Sequence, residues 1–393
     1  VNCNSCGAQT LLVLDLGDHA LAGAFLHKEE IAAEKKYPLR LHFCNYCYLV
    51  QIERIVPPEQ MFRKYFYHSS AIETLREHFT RYAADVTARF QPRSVLEIGC
   101  NDGVMLRPLA AHVPRVIGVD PAQLTQWIDH PGIVVINEFW SEEIAEQIGQ
   151  VDMVIANNVF AHIADLHGAV RAIKRVLAPG GVFIFEVNHL GAMLSELAYD
   201  WIYHEHLYYW SLIALRHLFA PHGMTVFDVE PIPNHAGSMR YFVAKDGRMA
   251  SQHVLQLADR EVEDRLNRFK TFQSFAESVE NHRNVLRIAL GSLAHQGRTV
   301  AGYGACGRAN TMIQYCDINT LGYIVDDAPA KWGFLTPGSH VPIYPSSWLD
   351  IQPVDYVIVF AWSFLPEIQR KTHGKSLLIP LPKIHILREQ VAA

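Results

Sequence analysis

The sequence predicts an α/β protein in which a small amino-terminal zinc-binding module precedes two successive α/β units, and three features carry that expectation. Two Cys-x-x-Cys pairs stand near the amino terminus, Cys3 with Cys6 and Cys44 with Cys47. A short apolar strand runs into a glycine turn at SVLEIGCNDGVML (94–106), and the same arrangement returns at TVAGYGACGRANTM (299–312). With 393 residues, half of them apolar, and a formal charge of −6, the chain can bury a large core and divide into two or three domains.

Composition also excludes some classes of function. Apolar runs stay short of the roughly 20 residues that cross a bilayer, and no signal-peptide pattern opens the chain. A cytoplasmic protein without membrane contact is therefore expected, as a monomer or weak homo-oligomer. Blocks of Lys or Arg are missing too, which argues against a nucleic-acid binder, since such proteins draw their affinity from neutralising phosphates.

The first element is the cysteine quartet. Knuckles a few tens of residues apart let four thiolates converge tetrahedrally on Zn²⁺ and leave no ligand position open, the pattern of a structural site. Disulfides are the alternative, and a reducing cytoplasm disfavours them. Cys3, Cys6, Cys44 and Cys47 are the expected ligands of a module over residues 1–56, while Cys100, Cys306 and Cys316 read as core or loop thiols.

Residues 57–92 read as mostly helical, with Leu75, Phe79, Tyr82, Val86 and Phe90 spaced for one buried face. They lead into the strand and turn at 94–106, followed by RVIGVD (115–120), a second apolar strand ending in an acid. Its spacing, Glu97-x-Gly99-x-x-x-Gly103, departs from the dinucleotide fingerprint. Glycines there let a ligand approach the backbone, and a carboxylate closing the next strand can accept both ribose hydroxyls. IVVINEFW (133–140), DMVIANNVFAHI (152–163) and VLAPGGVFIFEV (176–187) supply further strands of a doubly wound domain over about 80–245, within a unit spanning 57–250. The pattern resembles motif I of class I S-adenosylmethionine methyltransferases. That resemblance implies a Rossmann-like domain with cofactor contacts from Glu97, Gly99, Asn101, Asp102, Gly103, Asn157 and the ribose carboxylate Asp120.

Residues 251–297 keep helical spacing through Phe272, Phe275, Val279, Leu286, Leu290 and Leu293, with Gly297 as a stop signal, and read as a helical connector. The last unit, 298–393, repeats strand, glycine turn, helix and a strand ending in acids (YIVDD, 323–327). It reads as a second Rossmann-like α/β domain.

Between these motifs lies YHEHLYYWS (203–211), with two imidazoles, a carboxylate and three phenols in nine positions. A hydrogen-bonded core network and an acid/base site both fit it. A metal site fits less well, because His204 and His206 are two apart and no third ligand is near in sequence.

Taken together, the cysteine module, the E-I-G-x-N-D-G core and the carboxy-terminal G-Y-G-A unit resemble the sugar C-methyltransferases that act on nucleotide-linked 4-keto-deoxysugars, over essentially the whole chain. The resemblance implies S-adenosylmethionine in the central domain, structural Zn²⁺, and a TDP-, GDP- or CDP-linked sugar held with help from the last domain, methylated at C3 in preference to C5. It places Tyr203, Glu205 and His206 on the family's Y-x-E-H. It also adds Tyr67 from KYFYHSS and Asn158 with His162 from NNVFAHI, the last two read as one helical turn apart on one face. NHAGSMR supplies His235, Ser238 and Arg240, with Ala236 in place of a family glycine; Arg240 would grip phosphates or pair an acid. Gly302, Tyr303, Gly304, Arg308 and Asn310 would approach the sugar nucleotide.

Methylating carbon needs a carbon nucleophile, and a sugar C–H is acidic enough only beside a carbonyl. An imidazole suits the base, which makes His206 a candidate to take the proton, with Glu205 orienting or stabilising its ring and Tyr203 or Tyr67 donating to the enolate oxygen; a tyrosine as the base is the alternative. An O- or N-methyltransferase of a small metabolite, or a non-catalytic zinc-containing binding protein, are the competing readings. Nicotinamide chemistry at GYGACGRA is disfavoured for want of the expected acid context.

Overall fold

The computed structural model describes residues 1–63, 65, 68–233, 237–372 and 374–388. Its first sheet is built by β1 (Leu11–Ala20), β2 (Lys36–Phe43) and β3 (Val50–Ile52), joined antiparallel in that order. Leu39, Leu41 and Phe43 alternate along β2 and are buried, as a strand with one face on a core requires.

The helix Glu73–Phe90 follows, burying Leu75, Phe79, Tyr82 and Val86 as the spacing predicts, with Phe90 half-buried at its end. It covers a sheet whose strands are β4 (Ser94–Ile98), β5 (Arg115–Val119), β6 (Ile133–Ile136), β7 (Val151–Asn157) and β8 (Leu177–Asn188). Next comes β9 (Tyr208–Tyr209), which leaves this sheet and adds a fourth strand to the amino-terminal one beside β3. The chain returns in β10 (Thr225–Ile232) and β11 (Ser238–Ala244), giving the order β10-β11-β8-β7-β4-β5-β6. β11 is antiparallel to both neighbours and the remaining pairs are parallel.

Two helices succeed it, Gln252–Glu263 and Phe269–His295. The second packs on the cysteine module, with the Phe272 ring stacked 4.5 Å from Phe43. The last sheet runs β14-β13-β12-β15-β16-β17, from β12 (Val300–Tyr303), β13 (Leu321–Asp326), β14 (Ile343–Pro345), β15 (Tyr356–Val359), β16 (Ser376–Ile379) and β17 (His385–Leu387). All its pairs are parallel except β16 with β17.

The amino-terminal module also grips the last unit. Asn310 Nδ2 donates to the Ala22 carbonyl at 2.6 Å, the Ala20 amide donates to Gln314 Oε1 at 2.8 Å, and Leu26 bridges to Leu335. Among the described residues, no helix is long and apolar enough to cross a membrane.

Candidate functional site

The four cysteine thiols meet at one point. Cys3 Sγ lies 3.4 Å from Cys47 Sγ and Cys6 Sγ 3.4 Å from Cys44 Sγ, and all four fall within 4.8 Å of one another. Four sulfurs about 2.3 Å from one ion stand about 3.8 Å apart in a tetrahedron, so the set fits Zn²⁺. The two knuckles are built alike: Ser5 and Tyr46 amides point at Cys3 and Cys44 sulfur at 3.4 Å, and each knuckle closes on a residue with positive φ, Gly7 and Tyr48.

A cavity of about 1300 Å³ lies between the central sheet and the last unit. At its central-sheet end Gly99 (φ +73°) lines the wall, and a Cβ there would meet Val159 at 2.7 Å. Asp120 closes β5, buried, with its two oxygens accepting from the Asn101 amide at 2.9 Å and the Ala122 amide at 2.7 Å. A carboxylate offers about four acceptor sites, so two remain for a ribose diol. That geometry fits S-adenosylmethionine. Asn101 and Asn157 line the same wall. Glu97 and Asp102 are buried without lining it, and Gly103 packs on Ile128. Burial beside Asp120 and Asp102 pushes the Glu97 carboxyl well up, which favours its neutral form. Asp102 instead latches the preceding segment, accepting from Ser70 Oγ at 2.6 Å.

The stretch 203–211 is divided among three neighbourhoods. Tyr203 and His206 line the cavity, their ring centroids 4.0 Å apart. His206 Nδ1 donates to the Trp201 carbonyl at 2.9 Å, which leaves the lone pair of the neutral ring on Nε2. His206 stacks with His162 at 5.1 Å and with Trp201 at 5.4 Å, and His162 stacks with Phe62 at 5.5 Å. Burial lowers His162 to about 4, so it is neutral. Burial and the neighbouring Glu205 raise the Tyr203 phenol well above its usual range, keeping its proton on. His204 turns away and donates to the Pro38 carbonyl at 3.2 Å. Tyr208 and Tyr209 form β9, Trp210 is fully buried, and Ser211 caps the next helix by accepting from the Ala214 amide.

Several expectations are corrected. Glu205 does not hold the His206 ring: it accepts from Tyr65 Oη at 3.3 Å and sits against Gly23 of the cysteine module, from a turn that the His206 amide closes on the Tyr203 carbonyl at 2.9 Å. Asn158 and His162 both line the cavity, but from a turn rather than a helix, since Asn158 takes a φ of 53° and the helix begins only at Leu166. For Arg240 the structure shows the acid-pairing alternative rather than the phosphate one. It lies buried in β11, paired with Glu186 at 2.6 Å and Glu230 at 2.9 Å, and covers the Tyr82 ring at 3.5 Å. Ser238 is buried at the start of the same strand.

In the last unit Tyr303, Gly304 and Arg308 line the cavity, whereas Asn310 is buried on Ala22. Gly302 faces Ile324 and Phe360, where a Cβ would come within 2.9 Å of each. Contrary to the acid context judged missing, Asp326 and Asp327 stand at the cavity beside this turn. Asp327 accepts from Tyr303 Oη at 3.0 Å, and Lys331 and Lys371 pair with Asp326 and Asp327. Tyr67 and His235 lie outside the described residues.

Sequence reading missed Tyr65, Trp201 and Asp200. Asp200 is fully buried and accepts from Arg308 Nε at 2.9 Å and Trp362 Nε1 at 3.0 Å. Arg308 is also held over the Trp201 and Trp362 rings. The available signal was an Asp beside a Trp in an otherwise apolar run, AYDWIY (198–203).

Glu205 gives a stability test. Burial raises its carboxyl to about 7 from an ordinary 4.5, so the folded protein holds this proton more tightly than the unfolded chain does. The cost of ionising it is absent below about pH 4.5 and complete above about pH 7. At about 1.4 kcal/mol per pH unit, Glu205→Gln should gain roughly 3 kcal/mol of stability relative to the native chain between pH 4 and pH 8. Denaturant unfolding of both proteins across that range checks it, and a constant difference would contradict the assignment.

The glycine turn, the buried carboxylate of Asp120 and the strand order define an S-adenosylmethionine-dependent methyltransferase with a structural zinc module. Comparison with protein-family models agrees: a methyltransferase domain matches residues 67–229, a C-methyltransferase C-terminal domain 233–382, and a domain described as zinc binding 3–62. C-methyltransferase NovU of Streptomyces niveus is 30% identical over 407 residues, covering 98% of this chain and 96% of that protein. This chain belongs to that C-methyltransferase family. A ubiquinone biosynthesis O-methyltransferase of Escherichia coli O139:H28 shares 30% identity over 118 residues, 28% of this chain and 49% of its own length. Among solved structures, an S-adenosylmethionine-dependent methyltransferase from Clostridium acetobutylicum aligns with 13% identity and a TM-score of 0.36, over 45% of this chain and 92% of that one.

Proposed function

We propose that the protein methylates carbon, C3 in preference to C5, of a nucleotide-linked 4-keto-deoxysugar. The observation that carries this reading is an imidazole on the cavity wall whose Nδ1–H is committed to the Trp201 carbonyl, beside a phenol that keeps its proton. His206 Nε2 removes the proton from the carbon next to the ketone. The electron pair moves onto the carbonyl oxygen, where the Tyr203 hydroxyl donates to it. S-adenosylmethionine, when bound, supplies an electrophilic methyl group for that carbon. His162, neutral and stacked on His206, keeps a second cation away from the base.

Size supports two ligands. Pockets for one small molecule span about 300–1000 Å³, and this one measures about 1300 Å³. Asp120 and Gly99 bind the cofactor end, with Asn101, Asn157 and Asn158 along the same wall. Tyr303, Gly304, Arg308, Lys331 and Lys371 form the side that would receive the sugar nucleotide, the two lysines exchanging their Asp partners for diphosphate oxygens. Incubation with TDP-, GDP- and CDP-linked 4-keto sugars and S-adenosylmethionine tests the assignment. One nucleotide series should gain a methyl group retained through mild hydrolysis, as mass spectrometry reads. Methylation confined to hydroxyl or amine acceptors would overturn it.

A further inference from the structure

We propose that the first five residues of the helix Gly307–Tyr315, in the carboxy-terminal unit, are the template that sets the His206 imidazole, through the backbone of residues 200–203. This rests on His206 being the base. Four consecutive residues of that segment are held by Gly307, Arg308 and Thr311. Arg308 Nε donates to Asp200 at 2.9 Å, and the same guanidinium covers the Trp201 ring at 4.8 Å from its centroid. Thr311 Oγ1 donates to the Ile202 carbonyl at 3.1 Å. Gly307 lies so close under Tyr203 that a Cβ there would stand 3.2 Å from Cζ.

The segment in turn fixes the base. The Trp201 carbonyl accepts from His206 Nδ1 at 2.9 Å and from Tyr209 Oη at 3.3 Å, and the Trp201 ring stacks on the imidazole. An accepting carbonyl at Nδ1 selects the tautomer whose lone pair is on Nε2. Asp200 and Thr311 are buried and stand off the cavity wall, so they act on the reaction only through what they hold. They are positioning residues.

Two variants separate this from a general loss of folding. Gly307→Ala adds one methyl at a helical position with ordinary φ, where alanine favours the helix over glycine, so only Tyr203 has to give way. Thr311→Val keeps the shape and removes the hydroxyl, and Thr311→Ser restores it. The enzyme is labelled with ¹⁵N-histidine, and His206→Asn identifies the His206 ring signals. Wild type and Thr311→Ser should show the Nδ1–H tautomer. In Gly307→Ala and Thr311→Val the His206 signals should shift toward mixed tautomers, with turnover about tenfold lower and S-adenosylhomocysteine affinity unchanged. Shifted signals with undiminished turnover would keep the positioning role and refute His206 as base. Wild-type His206 signals in both folded variants would overturn the proposal.

Discussion

His206→Asn should fold, bind S-adenosylhomocysteine as the native chain does, and turn over about 10²- to 10⁴-fold more slowly, the usual worth of a positioned general base. The side chain is half-buried at the cavity wall and its Nδ1–H bond to Trp201 is one that an asparagine amide can partly replace, so the loss falls on proton removal rather than on packing. Tyr203→Phe is the companion: it should slow the reaction by removing a donor to the enolate oxygen. Steady-state rates check both, and a His206→Asn enzyme with native turnover would return 203–211 to a packing role.

Cys44→Ser should have the largest effect on the fold. Metal binding at a site that does not exist in the unfolded chain is folding free energy, about 10–16 kcal/mol in isolated zinc modules, and a three-thiolate site forfeits much of it. The damage should spread beyond the module. β3 pairs with β9, which begins two residues after His206, and Tyr209 Oη reaches the same Trp201 carbonyl that His206 uses. Substoichiometric zinc by elemental analysis, a lower unfolding midpoint and depressed turnover are therefore expected together. Full zinc occupancy in the variant would contradict the ligand assignment.

Where the chemistry is local, the sequence announces it. Two knuckles with their own N–H···S turns form within a few residues each, and a strand, glycine turn and acid-terminated strand place Asp120 by spacing alone. The buried face of Glu73–Phe90 was legible for the same reason. What sequence reading could not give are the long-range partnerships. Arg240 reads from sequence as gripping phosphates or pairing an acid, and only β11, buried along its whole length, puts the guanidinium on an internal acid. Glu186 within the apolar strand VFIFEV was the sign of such a partner. Glu205 next to His206 suggests a dyad, but the two stand in a tight turn, the His206 amide bonded to the Tyr203 carbonyl, and Glu205 reaches Tyr65 and Gly23 instead. Asn158 and His162 had helical spacing, and Asn tolerates the positive φ that ended any helix there. The pairing of Tyr208–Tyr209 with Val50–Gln51 joins positions more than 150 residues apart and carries no local signature.

Proton exchange in D2O tests the central claim most directly. The enzyme, S-adenosylhomocysteine and the 4-keto nucleotide sugar that serves as substrate are mixed without a methyl donor, and deuterium at the carbon next to the ketone is followed by NMR. Carbon methylation through His206 requires exchange at that carbon in the native enzyme and its loss in His206→Asn. A native enzyme that methylates the sugar yet leaves this proton unexchanged, or a His206→Asn enzyme that exchanges it at the native rate, would contradict the account.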